Sequence, residues 1–212
     1  MYSVPNDIGP VASELLAAWA LLPKHECVPY RHSFDPMAVA RILPVITLLQ
    51  RGDDEEWRFR LVGTEVDKRW GRPLTGLKCI EIAAPKMAAI IHREFGEVIR
   101  QPCGSWSVRR VKFCSGRCAT IETLRLPLRA KDGSVSLILG SSGELHIPNN
   151  DAPDRPSAIV TIVQQQFFDI GEGVPVGDVL SDAADHPSSG MAVVGKSAEL
   201  GLRSLALEWA RS

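Results

Sequence analysis

The chain has 212 residues, 45% of them apolar, enough for one good core with extensions. Its 24 basic and 25 acidic residues leave a formal net charge of −1, without the basic excess of a protein that tracks a nucleic-acid backbone. No apolar run approaches ~20 residues, so a membrane span is not expected, and the first residues lack the basic start of a signal peptide.

Residues 10–22 carry Ala12, Leu15, Leu16, Trp19 and Leu22 at the spacing of an amphipathic helix. Asp7 or Pro10 starts it and Pro23 ends it. Residues 24–33 are irregular. Asp35-Pro36 opens a second short helix, which runs through Arg41 and stops at Pro44. Residues 45–49 form a compact β-type run, 51–56 a polar turn, and 57–62 the partner strand. In that strand Trp57, Phe59 and Leu61 point one way, Arg58 and Arg60 the other. The alternation stops at Gly63-Thr64, where Thr64 suits the N-cap of a short helix over 65–70. Gly71, Pro73 and Gly76 then break regular structure. The clearest helix covers 86–100, with Met87, Ile90, Ile91, Phe95, Val98 and Ile99 on a broad apolar face.

Three strands follow. In residues 106–113 the pair Arg109-Arg110 interrupts the alternation as a bulge does. Residues 120–128 place Leu124, Leu126 and Leu128 on one face. Asp132-Gly133 is a hairpin turn signal, and Val135, Leu137 and Leu139 continue beyond it. Two strands, short helices, a long helix and three strands imply an α+β fold, an antiparallel sheet covered on one face. The chain divides into an N-terminal helical extension (1–33), a core (34–147) and a C-terminal extension (148–212). In the last, 148–156 is a linker-like loop, and 157–168 adds a strand or packs across the core. Residues 196–211 form a final amphipathic helix through Ala198, Leu202, Leu205 and Trp209. Five cysteines, odd in number and irregularly spaced, fit a reducing and hence cytoplasmic location.

Within this order stand Arg41-Ile-Leu-Pro44, Arg60-Leu-Val-Gly-Thr64, Leu74-Thr-Gly76, Glu122-Thr-Leu-Arg-Leu-Pro-Leu128 and Phe168-Asp-Ile-Gly171. Their order and spacing resemble a PAS domain, and more narrowly a family of small bacterial stand-alone PAS-like proteins. The resemblance implies a five-stranded antiparallel sheet with helices across its concave face, and a role in sensing or signalling. It implies no particular ligand, because haem-binding, flavin-binding, small-acid-binding and ligand-free modules share the fold.

Phe59, Leu61, Trp70, His92, Trp106, Glu122, Leu124 and Leu137 are the expected lining of a pocket under the helices, apolar walls with a few polar groups. Glu122 shares the parity of Leu124, so either it faces the covered side and needs a partner such as His92 or Arg60, or a bulge turns it outward. His92 borders the buried face of the long helix, where haem-binding relatives supply an axial histidine; the plainer reading is a boundary histidine with one hydrogen bond. Cys79 lies where flavin-binding relatives carry a photochemical cysteine, but Lys78 and Ile80 replace the asparagine and arginine beside it. It reads as a small buried hydrophobe. Cys103, Cys114, Cys118 and His146 lack zinc-site spacing, and Arg109, Arg110, Lys112 and Arg117 read as a solvated strand face.

No nucleophile elbow, zinc-protease motif or phosphate-binding loop is present, so no enzyme and no cofactor is expected. Leu15, Leu16 and Trp19 either anchor a homodimer, the preferred reading, or cap the sheet's open face within one chain. The expected function is a cytoplasmic PAS-type sensor that binds a small ligand and signals by protein contact. The alternative is an interaction module whose core is filled by its own side chains.

Overall fold

The computed structural model describes residues 5–146 and 156–176. The expected helix over 196–211 lies outside the described residues, as does most of the expected linker. Helix α1 (Pro10–Ala20) starts on its proline, whose missing N–H is one of the unpaired donors of a first turn anyway. A pair of two-residue strands follows, β1 (Lys24–His25) and β2 (Val28–Pro29). Three short 3-10 turns then cross the sheet, Arg31–Ser33, Pro36–Val39 and Leu43–Val45. The second replaces the expected short helix: Asp35 caps it by accepting from Met37 N–H at 2.9 Å.

Strands β3 (Ile46–Arg51) and β4 (Trp57–Val62) form the first hairpin. Helix α2 (Thr64–Trp70), a 3-10 turn at Cys79–Ile82 and helix α3 (Pro85–Arg100) make a roof. Strands β5 (Cys103–Phe113), β6 (Cys118–Arg129), β7 (Val135–His146) and β8 (Pro156–Asp169) complete one sheet in the order β4-β3-β7-β6-β5-β8. All neighbours are antiparallel. The sheet thus has six strands rather than five, because the β-prone run after residue 156 pairs along the whole of β5.

The sheet is covered on both faces, not one. Ile46, Leu48, Trp106, Val108, Leu124, Leu126 and Leu139 pack with α1 and the 3-10 turns. Leu49, Trp57, Phe59, Cys103, Val111, Ile121 and Ile138 pack with the roof, against Val66, Trp70, Ile91, Phe95 and Val98. Alternation along each strand feeds both layers, so nearly every strand residue between them is apolar or paired.

Two local departures follow from sterics. The N-cap of α2 is Gly63, not Thr64: the chain passes so close over Pro44 that a Cβ at Gly63 would lie 2.2 Å from the Pro44 carbonyl oxygen. A register shift between Leu48 and Leu49 leaves Arg60 as the extra residue of β4. Phe59 therefore pairs with Leu49 on the roof side, and Leu61 pairs with Leu48 on the α1 side. Among the described residues, no helix is long and apolar enough to cross a membrane.

Candidate functional site

Beneath the roof the sheet presents charge instead of a continuous apolar floor. Alternation on β5 sends Ser105, Ser107 and Arg109 towards α3, and on β6 it sends Thr123 and Arg125 the same way; all five are buried. The inner stripe of α3 runs Ile90, Ile91, Glu94, Phe95 and Val98, with a carboxylate at the centre of an apolar face. Glu94 accepts from Ser105 Oγ at 2.7 Å and from Arg109 Nη2. Arg109 Nε–H donates to Ser107 Oγ at 2.9 Å, and Ser107 shares a hydroxyl bond of 2.8 Å with Thr123. This buried ion pair ties the roof helix to β5, and each member holds the other's charge.

Arg125 lies beside this pair. Its Nη1 donates to the Leu124 and Ser141 carbonyls at 2.8 and 3.1 Å, and its guanidinium carbon stands 5.8 Å from the Phe95 ring centroid. The Trp57 ring meets Phe95 edge-on at 5.5 Å. Burial first, and Arg109 second, pull Arg125 down to about 10, against the opposing pull of Glu94 and Cys79. It therefore stays a cation at neutral pH. Cys79 is buried in the same neighbourhood, and desolvation pushes its thiol up to about 12 although Arg125 and Arg109 oppose the rise. A thiol so protonated is a poor nucleophile.

The eight residues expected to line one pocket are divided between two faces. Phe59 and Trp70 lie under the roof. Trp106, Leu124 and Leu137 belong to the layer beneath α1, and Leu61 stands at a crevice of about 10 Å³, room for a single water, with Phe34 and Leu43. Glu122 is buried, as its parity required, but its partners are neither His92 nor Arg60. It accepts from Gly9 N–H at 2.7 Å and Trp106 Nε1–H at 2.6 Å, so the carboxylate fixes the start of α1 to the sheet. His92 points away from the interior; a ring nitrogen lies 3.1 Å from the Glu55 carbonyl, beside an open cleft of about 430 Å³ on the outer side of α3. Leu15, Leu16 and Trp19 face the sheet of their own chain, and Trp19 Nε1–H donates to the Pro127 carbonyl at 3.0 Å. Arg109, read from sequence as a solvated strand residue, is 1% exposed: the alternation of β5 continues through it, and the register shift is absorbed opposite it in β8. The signal that would have found this network is Ser-x-Ser-x-Arg at one parity of β5, facing a glutamate inside the apolar stripe of α3.

The sequence profile of the PAS domain matches residues 9–142, well over half of the 212. The chain belongs to the PAS domain family. No curated protein matches the sequence. Among solved structures, this PAS chain is similar to VqmA of Vibrio cholerae, with 14% identity, a TM-score of 0.42, and coverage of 52% of this chain and 51% of that one. It is also similar to the LOV protein of Rhodobacter sphaeroides, with 15% identity, a TM-score of 0.41, and coverage of 55% and 72%. A PAS domain from Colwellia psychrerythraea shares 12% identity at a TM-score of 0.39, with coverage of 50% and 92%. The PAS chain thus spans about half of the VqmA chain.

Under this PAS roof Arg125 lies against Phe95, Trp57 meets the same ring edge-on, and Arg109 pairs with Glu94. His92 bonds outward, and the Cys79 thiol in that layer is protonated. Among the described residues, no group of three or more His, Cys, Asp or Glu is arranged to hold a metal ion.

Proposed function

We propose that this chain is a regulatory PAS module that acts through contact with another protein and catalyses nothing itself. The observation that carries this reading is the occupied interior: the layer between α3 and the sheet consists of the chain's own aromatic rings and a buried ion pair. A guest of drug or cofactor size needs a cavity of roughly 300 Å³ or more. An open cleft of about 430 Å³ lies instead on the outer side of α3, lined by Arg51, His92, Gly96 and Arg100 among others. The buried polar groups are bonded to one another in a pattern that holds the roof down, and the Ser105 hydroxyl on Glu94 is fully buried, away from any substrate. A self-association through the inner face of α1 loses its support, since that face is spent on the sheet.

The full chain, tagged and purified from the cells that make it, is expected to bring down another polypeptide in fixed ratio. Recovery of the chain alone, or with a coloured cofactor absorbing above 300 nm, would sink the proposal.

A further inference from the structure

The cleft of about 430 Å³ beside α3 opens to solvent, outside the layer between roof and sheet. Helix α3 forms one wall through Arg93, Gly96, Glu97 and Arg100, and Arg51 of β3 with Val135 of β7 forms the other. Three arginines and one glutamate thus line it, in a chain whose formal net charge is −1. Arg51 pairs with Glu55 at 2.9 Å and Arg100 pairs with Glu97, which fixes both guanidinium groups at the rim. Counting Glu55 with the lining still leaves positive charge in excess. A concave surface lined mainly by one sign of charge selects an occupant of the other sign.

Two backbone features meet at the same place. Gly96 lies inside α3, where glycine is a poorer helix former than every residue but proline. A Cβ built there would meet nothing within 4 Å, so the chain's own packing gives no reason for the missing side chain. His92, Gly96 and Arg100 follow one another at four-residue steps along one side of the helix. The glycine leaves bare backbone between them, where a second backbone can approach closely. Across the cleft, Glu55 adopts φ +62° in the β3–β4 turn, a left-handed conformation in which glycine is usual. Its carboxylate holds Arg51, and its carbonyl lies 3.1 Å from a His92 ring nitrogen. Strain of this kind concentrates at ligand clamps.

We propose that this cleft receives an acidic segment of the partner protein, its backbone over Gly96 and its carboxylates on Arg51 and Arg100. The inference rests on the reading that the chain acts through contact with another protein, and adds the surface used and the charge it meets. Carboxylates on the two guanidinium groups form charge-assisted bonds. Ile99 and Val135 give the lining an apolar strip, which suits an aliphatic side chain between the acids. The Glu97 carboxylate in the wall and the near-neutral chain disfavour a nucleic-acid strand, whose phosphates need a basic track.

The probe is hexaglutamate, titrated at low salt into the full 15N-labelled chain, with hexalysine and an oligo-uridine strand as parallel arms. Saturable movement of the Gly96 amide peak with hexaglutamate alone is expected, weakening as salt is added. Gly96→Leu enters open space, so its unfolding temperature should equal or exceed that of the natural chain. It should weaken hexaglutamate binding at least about tenfold, and Arg51→Glu combined with Arg100→Glu should abolish it. In capture from the cells that make the chain, Gly96→Leu should lose the protein that the natural chain retains. An unmoved Gly96 peak, equal movement with hexalysine or the RNA strand, or undiminished capture by Gly96→Leu would overturn the proposal. So would a natural dimer that Gly96→Leu dissociates, since the cleft would then receive a second copy. Undiminished capture by the variant would leave the protein-contact reading standing, whereas no capture by the natural chain would overturn that reading and this one together.

Discussion

Arg109 and Glu94 decide how the roof is held. Each is buried, each satisfies the other, and Ser105 and Ser107 complete their bonding. Removing one partner leaves a naked charge in a core, so Arg109→Ala is expected to cost about 3–5 kcal/mol, and Glu94→Ala a similar amount. Replacing both with apolar residues of similar volume, Arg109→Met with Glu94→Leu, removes the two charges together and should retain most of the stability. Urea unfolding of the two single variants and the double variant measures this cycle. A double variant no more stable than the worse single one would contradict the pairing. None of this was visible in the run Arg109-Arg110-Val-Lys112, because a cluster of like charges on a strand is usually solvated. Parity was the available clue. Arg109 shares it with Ser105 and Ser107, and the assumed bulge after Val108 concealed that by flipping the face. Glu122 shows the opposite outcome: parity gave its burial correctly, while its partners, the Gly9 amide and the Trp106 indole, sit too far away in sequence to be inferred from pattern.

Helix α1 behaves as part of the core rather than as an appendage. Leu15 and Trp19 are fully buried against β6 and β7, and the Glu122 carboxylate meets the helix at its amino-terminal end, where the backbone dipole favours negative charge. Leu15→Ala should cost about 2–5 kcal/mol, the range for truncating a fully buried leucine. Glu122→Ala should destabilise by about 1–3 kcal/mol, because it strands the buried Trp106 indole and the part-buried Gly9 amide. Thermal unfolding of both variants checks the values, and a neutral Leu15→Ala would show that α1 is not docked as described. The existence of α1 and α3 was legible from their apolar spacing alone, and the β6–β7 turn from Asp132-Gly133. The direction in which α1 faces was not, since an amphipathic stripe fits a second copy as well as its own sheet. The face of Leu61 was lost to the one-residue shift at Leu48/Leu49, which no sequence pattern announces.

Across the whole molecule, the order of strands and helices identified a PAS sheet, and the profile match over residues 9–142 places the chain in that family. The β-prone run over 157–168, expected to add a strand or pack across the core, is β8 and widens the sheet to six strands, and both faces are covered instead of one. Those two facts change the function that the geometry supports. The eight residues expected to line one cavity are divided between two faces, and the roof-side layer holds the chain's own rings and the Arg109–Glu94 pair. Native mass spectrometry of the full chain purified from the cells that make it tests this most directly. The expected mass is that of the polypeptide joined to another protein in fixed ratio, with no organic cofactor retained. An adduct the size of a flavin, a haem or a comparable organic ligand, released on unfolding, would contradict the closed interior.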